Sequence, residues 1–95
     1  MPIKNRRGAL AIEHYIDEQL IRLRVPLPER TWQVDPAAGF RPGFAIVYTC
    51  KGGHLVRVFF SGDELRRFRN RPLTESLQKA MEAAMEIYRF TVKVR

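Results

Sequence analysis

The chain has little of what builds staples, metal centres or membrane spans. Its 95 residues hold one cysteine, Cys50, which excludes an intramolecular disulfide and any zinc site made of cysteines. No run approaches the roughly 20 apolar residues of a membrane helix. The opening MPIKNRRG does not lead into the apolar stretch of a secretory leader, because Glu13, His14 and Asp17 interrupt the next helical turns. A soluble, cytoplasmic protein with no membrane partner is the expectation. Acids are also scarce: 10 Asp and Glu stand against 17 Lys and Arg, for a net charge of +7 and a pI near 10.3.

The elements of catalysis are equally thin. The only two histidines, His14 and His54, lie far apart in different kinds of element. His14 shares a helix face with Glu18, with Asp17 nearby, but groups of this kind are common on solvated helices, and a metal site needs further ligands of matching geometry. Gly52-Gly53 lacks the strand-to-helix setting of a phosphate loop. Ser61 reads as a helix cap rather than a nucleophile. The expectation is therefore no enzyme, no cofactor and no metal.

What is present is a basic surplus, 45% apolar residues and clear local patterning. One domain of this size supports a single core with little reserve. Residues 1–8 carry Lys4, Arg6 and Arg7 and read as a mobile basic arm, with a single domain over 9–95. From Ala9 to Arg24, Ile12, Ile16, Leu20 and Leu23 recur at helical spacing, and Pro26 and Pro28 end the helix. Residues 25–43 are rich in Pro and Gly and read as an irregular internal connection. Within it Thr31-Trp32-Gln33-Val34 alternates enough for a short strand, with Trp32 anchoring it.

Residues 44–50 and 55–60 are β-rich runs joined by Lys51-Gly52-Gly53-His54, the signal of a hairpin whose turn needs positive φ. A two-residue turn there sets Tyr48 opposite Arg57 and Val47 opposite Val58. Ala45, Val47, Thr49, Val56, Val58 and Phe60 then share one face. Phe44, Ile46, Tyr48, Cys50, Leu55, Arg57 and Phe59 share the other, which also needs cover.

Ser61 and Glu64 have the spacing of a capping box, with Phe60 and Leu65 at the positions of a hydrophobic staple. They predict a short helix over about 62–69, closed by Pro72. Leu73, Leu77, Ala80, Ala84 and Tyr88 form a second helical stripe, flanked by Met81 and Met85, and Glu75 and Lys79 stand at pairing distance along it. Phe90 to Arg95 alternates apolar and polar, which predicts a final strand beside 44–50 or on the outer edge of 55–60. The fold class is α+β: N-terminal amphipathic helix, β-hairpin, short capped helix, long helix and C-terminal strand, around a three-stranded, mainly antiparallel sheet.

Hairpin, alanine-bearing helix and final strand together resemble the arm-type DNA-binding domains of phage integrases, and equally small phage-encoded inhibitors of host enzymes. The first resemblance implies a DNA partner, the second a protein partner.

The residues themselves point to an anionic partner. Arg66, Arg67, Arg69 and Arg71 fall within six residues, Lys51 and Arg57 belong to the hairpin, and Lys4, Arg6 and Arg7 to the arm. Arginine suits phosphate because its planar fork makes two charge-assisted bonds and stays ionised. Tyr48, sharing a sheet face with Arg57, adds a ring on which a base can stack. Arginine surplus also arises from GC-rich coding without functional demand. The expected function is non-catalytic binding of DNA or RNA through these residues. The alternative is a protein-interaction module, an inhibitor or adaptor, that docks on an acidic protein surface or forms a homodimer.

Overall fold

The computed structural model describes residues 3–35 and 43–93. Three helices pack on one face of a three-stranded antiparallel sheet, an α+β arrangement with a radius of gyration of 13.1 Å. In order, they are α1 (Ile3–Arg22), β1 (Glu29–Asp35), β2 (Gly43–Thr49), β3 (Leu55–Ser61), α2 (Gly62–Phe68) and α3 (Thr74–Tyr88).

Helix α1 begins at Ile3, so the residues read as a mobile arm are helical from that point. Residues 1–2 and the side chain of Lys4 lie outside the described residues. The apolar ridge extends backward through small residues: Asn5, Gly8 and Ala9 are buried in register with Ile12, Ile16 and Leu20. That ridge lies across α2 and α3.

The far end of α1 closes in a Schellman motif. The amide of Val25 donates to the Leu20 carbonyl (2.9 Å) and that of Arg24 to Ile21 (3.0 Å), while Val25 and Leu20 are both buried. Arg24 occupies the left-handed position with φ of 57°, where a β-carbon is disfavoured. Replacing exposed Arg24 with glycine is expected to raise stability by about 1 kcal/mol, read as a higher urea midpoint at unchanged slope.

Strand β1 pairs with β2 along its full length, from Glu29 opposite Thr49 to Asp35 opposite Gly43. The short strand read at Thr31–Val34 is thus the third member of the sheet. Trp32 packs against the core, its ring 6.4 Å from Phe60. This placement excludes the strand expected at 90–95 from the place beside β2, because both edges of β2 are already paired. Residues 89–93 instead continue the helical path of α3 as a wide turn, with Phe90 stacked on His54 at 3.5 Å. Residues 94–95 lie outside the described residues.

The hairpin register differs from the expected one by a single residue. Tyr48 faces Val56 and Val47 faces Arg57, because the connection is a short 3₁₀ turn, Lys51–Gly53, and not a two-residue loop. Gly52 and Gly53 both take positive φ, 78° and 81°, and the Cys50 amide closes the loop on the His54 carbonyl at 2.7 Å. The slip re-sorts the side chains. Phe44, Ile46 and Tyr48 now join Val56, Val58 and Phe60 on the face that meets the helices. Leu55 and Arg57 are exposed on the other face, beside Ala45, Val47 and Phe59. The second face keeps Ala45, Val47 and Phe59 wholly or partly buried and leaves Leu55, Arg57 and Thr49 exposed, so it is still partly apolar.

Candidate nucleic-acid interface

The end of β3 and the start of α2 form as their sequence predicts. Ser61 Oγ accepts from the Glu64 amide and Glu64 Oε1 accepts from the Ser61 amide, each at 3.1 Å. Phe60 and Leu65 are fully buried on either side of this box. Glu64 has further partners: Ser76 Oγ donates to it at 2.6 Å, and Lys79 Nζ reaches both its oxygens at 2.8 and 2.9 Å. Lys79 also donates to the Phe59 carbonyl (2.7 Å) and sits 4.7 Å from the centre of the Phe60 ring. The ammonium expected to pair with Glu75 along α3 thus joins α3 to the start of α2. Burial alone would raise the Glu64 pKa, but its bonds from Lys79, Ser76 and the Ser61 amide outweigh that and hold it below the usual carboxylate range.

With this junction fixed, α2 carries Arg66 and Arg67 in its last turn, where cations suit the negative end of the helix. Asp63, one turn back, pairs with Arg66 at 3.0 Å and with Arg67 at 3.5 Å, both in solvent. Part of the cluster is therefore satisfied locally. Arg69 and Arg71 follow on the exposed turn after α2.

The fold adds a cation that spacing could not place. Gly8 of α1 lies against the backbone of α2, so close that a β-carbon on it would stand 1.6 Å from the Leu65 carbonyl oxygen. That crossing brings Arg7 to the arginines of α2. Arg7, Arg66, Arg69 and Asn70 line one groove of about 220 Å³, with no carboxylate among its lining residues. Arg6 is exposed one position earlier. The sequence placed Arg7 on a separate basic arm and gave Asn70 and Gly8 no part. The signal for them was Gly8 standing four residues before Ile12, in the helical rhythm.

The remaining candidates lie elsewhere. Lys51 is exposed on the hairpin turn, at the opposite end of β3 from α2. Arg57 projects from the middle of β3 on the face away from the helices. Tyr48 is 0% exposed, so its ring is not offered to a base. It lies on the core face near Arg30, which bridges Glu13 (2.7 Å) and Asp17 of α1. Burial raises its phenol pKa, with the charges of Asp17 and Glu13 adding to that and Arg30 opposing it. Cys50 is a packed thiol pushed up in pKa by burial. Among the described residues no three of His, Cys, Asp and Glu come together as a metal site, and no helix is long and apolar enough to cross a membrane.

No protein family matches the chain, and neither a curated protein nor a solved structure is similar to it.

Proposed function

We propose that the chain is a non-catalytic nucleic-acid-binding domain that grips phosphates with Arg7, Arg66 and Arg69, and that Arg6, Arg67 and Arg71 extend this surface. The observation that carries this reading is the convergence of Arg7 from α1 with Arg66 from α2 and Arg69 from the turn after it around one groove. Its lining residues include no carboxylate, and Asp63 pairs with Arg66 from outside that lining. Guanidinium groups held on two packed helices lose less freedom on binding phosphate than the same groups on a tail, because the backbone is already ordered. Lys51 and Arg57 lie too far along the sheet to share a phosphate with this groove, and their contribution is to the long-range field.

The test is a fluorescence-anisotropy titration with labelled DNA and RNA across salt concentrations. For duplex DNA the log–log slope is expected to be steeper than about −3, and Arg66→Glu/Arg69→Glu is expected to flatten it by about 2 units. Absence of salt-dependent binding on every probe overturns the reading.

A second reading, a protein-interaction module, is favoured by the exposure of Leu73, Met81 and Met85 along one stripe of α3. Adaptable methionine contacts suit a protein surface, and the basic groove would direct such a module to an acidic one. Sedimentation velocity on the free chain separates a homodimer built on this stripe from a monomer.

A further inference from the structure

We infer that the chain selects single-stranded nucleic acid over duplex, admitting one unstacked base between His14 and Arg69 while Arg7 and Arg66 hold the neighbouring phosphates. This inference rests on the nucleic-acid reading above. The groove of Arg7, Arg66 and Arg69 does not end at Asn70. On its other side Arg7 and Arg69 also wall a second hollow, floored by Leu10 and Ala11 and bounded by His14. His14, Ala11 and Arg69 in turn wall a third, of about 370 Å³, lined further by Tyr15, Phe68 and Leu77. Because neighbouring hollows share residues, they form one trough along α1, against the end of α2, the turn that follows it and the start of α3, and Arg69 borders all of it.

The trough changes character along its length. One end is cationic. The other has an apolar floor, and its only acidic lining residue, Glu18, stands there. A duplex offers phosphates outward and keeps its bases stacked inside, so it can use the cationic end but leaves the apolar floor empty. A single strand can fill both. An exposed imidazole and an exposed guanidinium, His14 and Arg69, provide two flat groups of the kind that stack on a base. Glu18 repels phosphate and accepts hydrogen bonds, which orients the base towards that end and the backbone towards Arg7.

The probes are labelled mixed-sequence single-stranded DNA, single-stranded RNA and duplex DNA of matched length, titrated at one low salt concentration. Single strands are expected to bind about tenfold more tightly than duplex, the gain of roughly one stacked base. Ala11→Leu, which fills the floor without changing charge, and His14→Ala, at an exposed position, are each expected to weaken single-strand binding severalfold and leave duplex binding unchanged. A single strand no tighter than duplex, or one unaffected by both variants, overturns the inference while the broader reading stands. If no probe binds, both fall. Preference between the DNA and RNA strands identifies which sugar the trough accepts, and either preference supports it.

Discussion

Replacing Gly8 with alanine is expected to destabilise the protein by about 3 kcal/mol, at the upper end of what overpacking costs. The sign is the informative part. In an open helix the same change is worth about 1 kcal/mol in favour of alanine. Here the new β-carbon would meet the Leu65 carbonyl oxygen at 1.6 Å and its carbon at 2.4 Å. Both atoms belong to the backbone of a helix whose first turn is pinned by the Ser61–Glu64 box. They cannot rotate aside, so α1 must lift from α2 and open the packing of Ile12, Leu65 and Phe68. Urea unfolding followed by far-ultraviolet circular dichroism reads the loss directly, and the thermal midpoint should fall by roughly 12 °C or more. A neutral or stabilising result would mean that the two helices do not cross at Gly8. The same variant moves Arg7 away from Arg66 and Arg69, so oligonucleotide binding is expected to weaken along with stability.

The second large effect is expected at Glu64. Glu64→Ala removes half of the capping box and leaves the fully buried Ser76 hydroxyl and the Lys79 ammonium without their carboxylate. Stranding a buried donor and a partly buried charge together is expected to cost about 3 kcal/mol, while Lys79→Ala, which leaves Glu64 with its other bonds, costs about 2 kcal/mol. The pair also predicts a pH dependence. Glu64 has a lower pKa folded than unfolded, so its stabilisation is complete above the unfolded carboxylate value and is lost as pH falls through the folded one. Glu64→Gln should therefore lower stability at neutral pH and flatten the acid limb of the stability profile. Urea midpoints measured from neutral to acid pH check this, and an acid limb as steep in Glu64→Gln as in the parent would remove Glu64 from the account.

These two sites show which parts of the fold could be read from the chain alone. The capping box and its staple were legible because every atom involved lies within six residues, and local spacing determines the geometry. The two long helices were legible from their apolar rhythm for the same reason, although the first turns of α1 read as a mobile arm. The long-range partners were not. Lys79 has a carboxylate four residues before it on its own helix, yet it takes Glu64, because α3 packs against β3 and carries the ammonium to the start of α2. The hairpin register turned on one residue: Gly52-Gly53 suits a tight two-residue turn as well as the longer loop that formed, and the choice inverts the face of every side chain on one strand. The last residues alternate like a strand, but alternation cannot show that β1 already occupies the edge of β2. That strand was one of the three elements behind the likeness to integrase arm domains and phage inhibitors, which therefore loses support.

For the candidate interface, the arginines on and just after α2 were visible as a run, and Arg7 was visible as a cation on the arm, but not that it would join them. Arg7 entered the cluster through Gly8, whose contribution is the side chain it lacks. Tyr48 shows the opposite error. An aromatic residue in a strand beside an arginine satisfies the pattern of a stacking platform, and only burial distinguishes it from a core residue.

The docking of α1 on α2 and α3 also sets a schedule for synthesis. This helix is translated before the surfaces that cover it, which come largely from residues 62–88. At roughly 5–20 residues per second, Ile12, Ile16 and Leu20 wait several seconds without a partner. Meanwhile each strand of the sheet pairs with its neighbour in sequence as soon as both have emerged. The nascent protein is thus expected to pass through a stage in which a formed meander trails an undocked, oily helix. Limited proteolysis of ribosome-stalled chains should find α1 cleavable until α3 is exposed and protected afterwards. An element made before its partners is thus buried only when α2 and α3 arrive.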